Sequence, residues 1–218
     1  MTSNFYKMNI KTFPFNPLQE NTFLVWDDTN EAVIIDAGML FEQEKQRIKR
    51  FIEENDLKLV RVLNTHLHLD HQFGNKFLFD TYGLMPEVGM EDEFLLDTIS
   101  LSAQKWGLPY LETPQRPGAY ITDNQEIKFG KTTFVALHTP GHSPGSHSLY
   151  SEEAGVVFVG DVLFKRSIGR TDFDRGDFDT LINSIEERLF TLPENTIVYN
   201  GHGPTTTIGE EKQFNPFL

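Results

Sequence analysis

Thr65-His66-Leu67-His68-Leu69-Asp70-His71 places three imidazoles and a carboxylate within six residues. The stretch follows Leu59 to Leu63, an apolar run that predicts a strand. If the backbone stays extended through the first residues, His66 and His68 project to one side, because side chains alternate with period two. Gln72, Phe73 and Gly74 then predict a turn into a helix that bends Asp70 and His71 back over the same point.

Three further polar residues occupy one topological position. His142 follows the run Thr132 to Leu137 through Thr139-Pro140-Gly141, Asp161 follows Val156 to Val159 after a single glycine, and His202 follows Thr196 to Tyr199 through Asn200-Gly201. Strand ends in an α/β fold gather at one edge, where loops build sites on a rigid scaffold. Five histidines and two aspartates can therefore converge. Such a donor set suits two borderline divalent ions of about four to six ligands each, provided one carboxylate is shared. Asp161, isolated in sequence, is the natural bridge, leaving His66, His68 and His142 for one ion and Asp70, His71 and His202 for the other. Two dications outweigh two carboxylates and a bridging hydroxide by one positive charge, which can hold an anionic transition state. His138 and His147 are read as structural, since a lone histidine is more often a surface or satisfied core residue than a ligand.

Outward from this segment, the chain alternates strand and helix signal. Two more strands are predicted over Thr22 to Trp26 and Ala32 to Ile35, and a third over Ser148 to Tyr150. Helices are predicted over Phe41 to Asn55, Glu91 to Trp106 and Asp177 to Phe190, the last capped by Asp177. Pro109, Pro114 and Pro117 mark an irregular loop rather than a linker, because strand signal resumes soon after. The expected organisation is one α/β domain over residues 1–218 with an inserted cap near 86–119.

Composition excludes several classes. Nineteen Lys plus Arg against 32 Asp plus Glu leave a net charge of −13 over 218 residues, a field that repels nucleic acid. There is no cysteine, so disulfides, thiolate nucleophiles and Cys-containing zinc sites are all ruled out. Neither a secretory signal nor an 18-residue apolar run is found, so a cytoplasmic protein without membrane contact is expected. Composition and motifs leave the oligomeric state open.

The seven residues 65–71 resemble the T-H-x-H-x-D-H signature of the metallo-β-lactamase superfamily. Thr139-Pro140-Gly141-His142-Ser143, Gly160-Asp161 and Gly201-His202-Gly203-Pro204 resemble its later metal motifs, in the same order. The resemblance begins near residue 20, in Asn21-Thr22-Phe23-Leu24-Val25 and Ile34-Ile35-Asp36-Ala37-Gly38. It implies an αββα sandwich with a dinuclear site at one edge, holding zinc, with iron or manganese as alternatives. Asp161 stands where the common zinc β-lactamases use cysteine, so the resemblance points to glyoxalase II-like hydrolases. Ser167-Ile168-Gly169-Arg170-Thr171-Asp172-Phe173 and the tail Gly209-Glu210-Glu211-Lys212 with Asn215-Pro216 resemble the small, single-domain members of that group. Sixteen residues follow His202, so the C-terminal helical region that binds glutathione in true glyoxalase II enzymes is not expected.

The activity so implied is hydrolysis of an acyl-glutathione-type thioester by a metal-bridging hydroxide, with Asp70 both a ligand and a proton carrier. An anionic substrate meeting an acidic protein needs local cations, and Lys165, Arg166 and Arg170 are the candidates. Trp106, Tyr110 and Tyr120 are read either as a pocket wall or as satellite core. The Ser167 to Phe173 segment also resembles persulfide dioxygenases, which keep these ligands around one iron, so persulfide oxidation is the alternative. RNA cleavage is a third class, and it would need a basic exosite that the composition lacks.

Overall fold

The apolar strands alternate between two layers, so each sheet face needs its own cover. The computed structural model describes residues 7–110 and 112–218, and in it two six-stranded sheets pack face to face. The first contains, in spatial and chain order alike, β1 (Asn9–Phe15), β2 (Glu20–Trp26), β3 (Glu31–Ile35), β4 (Lys58–Leu63), β5 (Pro86–Gly89) and β6 (Ala119–Ile121). The second contains β7 (Glu126–Phe129), β8 (Thr132–His138), β9 (His147–Ser151), β10 (Val156–Gly160), β13 (Ile197–Asn200) and β14 (Thr206–Thr207), in the order β14-β13-β10-β9-β8-β7. A short hairpin of β11 (Leu163–Phe164) and β12 (Ser167–Ile168) stands apart from both.

Burial follows the period. Phe23, Val25, Val33 and Ile35 meet Phe134, Ala136, Leu149 and Phe158 between the sheets. Leu24, Ala32 and Ile34 turn outward onto Ile48 and Ile52 of α1 (Glu42–Glu54) and Leu78 of α2 (Asn75–Tyr82). On the opposite outer face, Val157, Val159 and Val198 pack on Leu181 of α4 (Phe178–Ser184), Ile185 and Leu189 beyond it, and Ile208 of α5 (Ile208–Phe214). The result is the αββα sandwich that the sequence implied.

The three predicted helices form with small changes of boundary. Phe41 and Asn55 flank α1, and the Glu44 carboxylate accepts from Leu40 N (2.8 Å) and Phe41 N (2.9 Å), capping a helix that lacks a Ser or Asp at its start. Asp177 caps α4 by accepting from Thr180 N at 2.8 Å, and the helix continues as a π turn over Ile185–Leu189. The third is α3 (Leu95–Lys105), preceded by a 3-10 turn over Met90–Asp92. The segment 86–119 is bounded by β5 and β6, which add to the first sheet in parallel, with α3 carried between them.

Strand β1 is absent from the sequence prediction because Lys11 and Pro14 interrupt its pattern. Proline is tolerated there since β1 lies at the sheet's edge. Two distant tracts also meet. Glu211, fully buried in α5, accepts from Arg166 N (2.8 Å) and Arg166 Nη1 (3.0 Å), and Asn215 Nδ2 donates to Ser167 O (3.0 Å). The tail thus buttresses the β11–β12 hairpin.

Candidate metal centre

Strand direction gathers the candidates. β8 and β10 are each antiparallel to β9, and β13 is parallel to β10, so His142, Asp161 and His202 all leave the same edge of the second sheet. β3 and β4 are parallel in the first sheet, which brings Asp36 and residues 65–71 to an edge together. His66, His68 and His142 have donor atoms within 4.8 Å of one another, and so do Asp70, His71 and His202. Leu69–His71 forms a 3-10 turn, which folds Asp70 and His71 back beside the two earlier histidines.

Asp161 touches both groups. Its Oδ1 lies 3.4 Å from His71 Nε2, and its Oδ2 lies 3.7 Å from His142 Nε2 and 3.5 Å from His202 Nε2. Asp70 Oδ2 is 3.2 Å from His202 Nε2 and 3.8 Å from His71 Nε2. Gly201 allows this approach, because a side chain there would collide with the Asp161 carboxylate.

Outer hydrogen bonds orient the rings. His142 Nδ1 meets Arg170 O at 2.7 Å and His202 Nδ1 meets Leu18 O at 3.1 Å, so donation to each carbonyl leaves Nε2 with a free lone pair. His71 Nδ1 meets Asp36 Oδ2 at 3.0 Å. The same aspartate accepts from Thr65 N and Thr65 Oγ1, each at 2.7 Å. Asp36 also groups with His66 and His71 as a candidate ligand set, but its oxygens are taken by these bonds and it orients His71. Only the segment Ile34-Ile35-Asp36-Ala37-Gly38 hinted at it in the sequence.

These residues fit a metal. His66 Nε2, His71 Nε2 and Asp161 Oδ1 are buried and have no hydrogen-bond partner among the described residues, although buried polar atoms are normally satisfied. His68 Nδ1 and His142 Nε2 face each other at 2.8 Å, two donors converging on one point. Burial holds His66 and His142 below the usual imidazole range and, with His142 beside it, takes His68 down to about 3. In His71 burial is outweighed by Asp161, Asp70 and Asp36, and its pKa rises well above the ordinary value. In His202 burial is likewise outweighed by the bond to Asp70 and the charge of Asp161. Burial of Asp161 is in turn outweighed by His71, which keeps its carboxyl below the usual range.

A titration asymmetry follows between the two donor sets. Burial favours the neutral, ligating form of His66, His68 and His142, whereas neighbouring carboxylates favour the protonated form of His71 and His202, with which an incoming ion must compete. Loading the Asp70, His71 and His202 position is expected to release protons, with an apparent affinity that rises with pH more steeply than at the other position. Calorimetric titrations in buffers of different ionisation enthalpy read the released protons directly, and equal release at both positions would contradict the assignment.

A cavity of about 690 Å³ opens beside the centre and includes His68, Asp70, His142, Asp161 and His202 in its lining. Apolar side chains, among them Leu95, Leu101, Phe164 and Phe173, make much of its wall. Of the expected cations, Arg170 lines it, paired to Asp172 (2.8 Å) with its guanidinium over Phe173. Arg166 is instead engaged by Glu211, and Lys165 is exposed outside the lining. Lys105 of α3 also lines the cavity, a cation the sequence reading did not select. Trp106 is a wall residue, whereas Tyr110 is satellite core with Phe73 and Ile99, and Tyr120 hydrogen-bonds Glu93 away from the cavity. His138 and His147 pair across β8 and β9 and bond backbone carbonyls, as a structural role requires.

Residues 15–202 match the metallo-beta-lactamase superfamily. The chain belongs to that superfamily. It is 42% identical over 212 residues to hydroxyacylglutathione hydrolase GloC of Haemophilus influenzae, covering 97% of this chain and 98% of that protein. Among solved structures, TTHA1623 in a di-iron-bound form is 36% identical with a TM-score of 0.84, covering 96% of this chain and 100% of that one. A protein described as BLEG-1 B3 metallo-beta-lactamase is also 36% identical, with a TM-score of 0.86 over 96% of this chain and 99% of that one. ETHE1 from Myxococcus xanthus is 29% identical, with a TM-score of 0.76 over 95% and 83%. No helix among the described residues is long and apolar enough to cross a membrane.

Proposed function

We propose that the protein is a dinuclear metal-dependent thioesterase acting on a small anionic thioester of the acyl-glutathione type. The observation that carries this reading is Asp161, whose carboxylate lies within 3.4 to 3.7 Å of His71, His142 and His202 and so approaches members of both donor groups. In this reading His66, His68 and His142 hold one ion, Asp70, His71 and His202 the other, and Asp161 is shared. Two divalent ions there, zinc or else iron or manganese, would supply an activated water at neutral pH and polarise a carbonyl.

The chain's own groups complete the site. No side-chain nucleophile is required, and a thiolate departs with little protonation. Asp70, on the cavity and 3.2 Å from His202 Nε2, is placed to hold a proton as well as an ion. The apolar side chains of the wall would pack against the uncharged part of the substrate. Arg170 meets the anionic part of the substrate, with Lys105 as the further cation on the lining.

Likeness to ETHE1 keeps one-iron persulfide oxidation as the second reading. Protein purified without added metal is expected to carry two ions per chain and to hydrolyse S-D-lactoylglutathione without consuming oxygen. One iron per chain with rapid oxygen uptake on glutathione persulfide would replace the thioesterase reading. Preferential turnover of a β-lactam would move the substrate class while leaving the two-ion chemistry.

A further inference from the structure

Asp92 is a fully buried carboxylate, and no Lys, Arg or His among the described residues pairs with it. Burying a charge in this way is unfavourable unless donors surround it. Three do. Asp92 Oδ2 accepts from Leu67 N at 3.1 Å and from Ser143 Oγ at 2.7 Å, and Oδ1 accepts from Gly145 N at 2.6 Å. Leu67 lies between His66 and His68, and Ser143 follows His142 directly. One side chain from the turn before α3 therefore bonds both backbone segments that present the three-histidine set.

The fit is close on every side. A Cβ at Gly145 would lie 2.7 Å from the Asp92 carboxyl carbon, so residue 145 has no room for a side chain. Ser143 Oγ also meets Ser146 Oγ at 2.7 Å, which extends the bonded patch through the loop after His142. The backbone bond from His147 N to Thr65 O (2.8 Å) closes the same seam further along. Loss of Asp92 would leave that seam joined while releasing the spacing of Leu67 from Ser143.

We propose that Asp92 is a positioning residue that locks the His142 loop to the His66–His68 segment and thereby sets occupancy of the three-histidine metal position. The proposal rests on the two-ion reading above. It also links substrate to metal, because α3, which begins three residues after Asp92, supplies Leu95, Thr98, Ser102 and Lys105 to the cavity wall. Asp92→Asn puts an N–H where a carboxylate oxygen faced N–H or O–H donors, so at least one bond becomes a clash of donors.

Cobalt(II) titration of the metal-free protein tests this, with His142→Ala as the reference for a lost three-histidine position. Asp27→Ala is the control. Asp27 is another buried carboxylate, accepting from Thr29 N (2.9 Å), Lys131 N (2.6 Å) and Thr132 N (3.0 Å) in a different part of the fold. Asp92→Ala and Asp92→Asn are expected to weaken the three-histidine position by about 10–100-fold, as loss of outer support does at other sites. Their cobalt spectra should resemble that of His142→Ala, with the Asp70, His71 and His202 position retained. Ser143→Ala should show a smaller shift of the same kind, and Asp27→Ala should leave both affinities unchanged.

Wild-type affinity at both positions in the Asp92 variants would overturn the proposal, as would an equal loss at both positions, or a loss in Asp27→Ala as large as theirs. If Asp92→Ala does not fold, Asp92→Asn and Ser143→Ala decide, and unchanged affinity in both overturns it. A wild-type protein that takes up no cobalt would overturn the two-ion reading and this inference with it. Two filled positions that ignore Asp92 would overturn this inference alone.

Discussion

Asp161→Ala is expected to lower bound metal and to reduce thioesterase activity by more than about a hundredfold, beyond the ~10–100-fold that loss of an outer partner costs. Asp161 Oδ1 is buried without a hydrogen-bond partner among the described residues, and both oxygens lie between the two donor groups. In the two-ion reading the side chain serves the ions rather than the fold. Removing it leaves β10 and its neighbours intact and relieves a desolvated carboxylate. Circular dichroism and thermal melting of the metal-free protein should stay close to wild type while metal analysis and thioester turnover fall together. Full activity at unchanged metal content would show the ligand assignment to be wrong.

Asp36→Ala is expected to act on both stability and metal binding. The buried Asp36 carboxylate accepts from Thr65 N, Thr65 Oγ1 and, through Oδ2, His71 Nδ1. Its loss strands a buried backbone donor, at about 1–3 kcal/mol. Asp36 also has φ of +54°, a region that alanine adopts less readily than aspartate. For a domain of this size the unfolding midpoint should fall by roughly 2–12 °C. His71, freed to rotate, should weaken the Asp70, His71 and His202 position by about 10–100-fold while the three-histidine position holds its ion. Metal titration beside a thermal melt separates the two effects, and a stable variant with wild-type affinity at both positions would contradict the role given to Asp36.

Much of the centre was legible because its groups sit where period and strand direction alone can place them. His66 and His68 are two apart after an apolar run, and Asp161 and His202 each follow a strand by one or two residues. The supporting groups were harder to read. Asp92 is a single polar residue with no local pattern, Asp36 and Thr65 fall in quoted motifs that do not reveal their bonding roles, and the bonds Thr65–Asp36, Leu67–Asp92 and Ser143–Asp92 join residues 25 to 51 positions apart in the chain. The cations illustrate the same limit. Lys165, Arg166 and Arg170 are neighbours in sequence, yet Glu211 takes Arg166, Lys165 stays outside, and only Arg170 of the three lines the cavity.

The amino-acid sequence by itself determined an α/β fold, through alternating strand and helix signal, and the seven candidate donors, through residue types placed at strand ends; the sandwich was what the family resemblance implied. Absence of cysteine confined any metal to imidazole and carboxylate, and the net charge of −13 spoke against nucleic acid. The tertiary structure alone put distances on that expected division, with Asp161 between the two groups, and showed which buried carboxylates bond the segments around them. It also put Lys105 and Trp106 of the 86–119 segment on the cavity wall. The physical reason is range: strand and helix periods are local and can be read along the chain, whereas ring orientation and cavity lining depend on hydrogen bonds and packing between segments that meet only when the two sheets close.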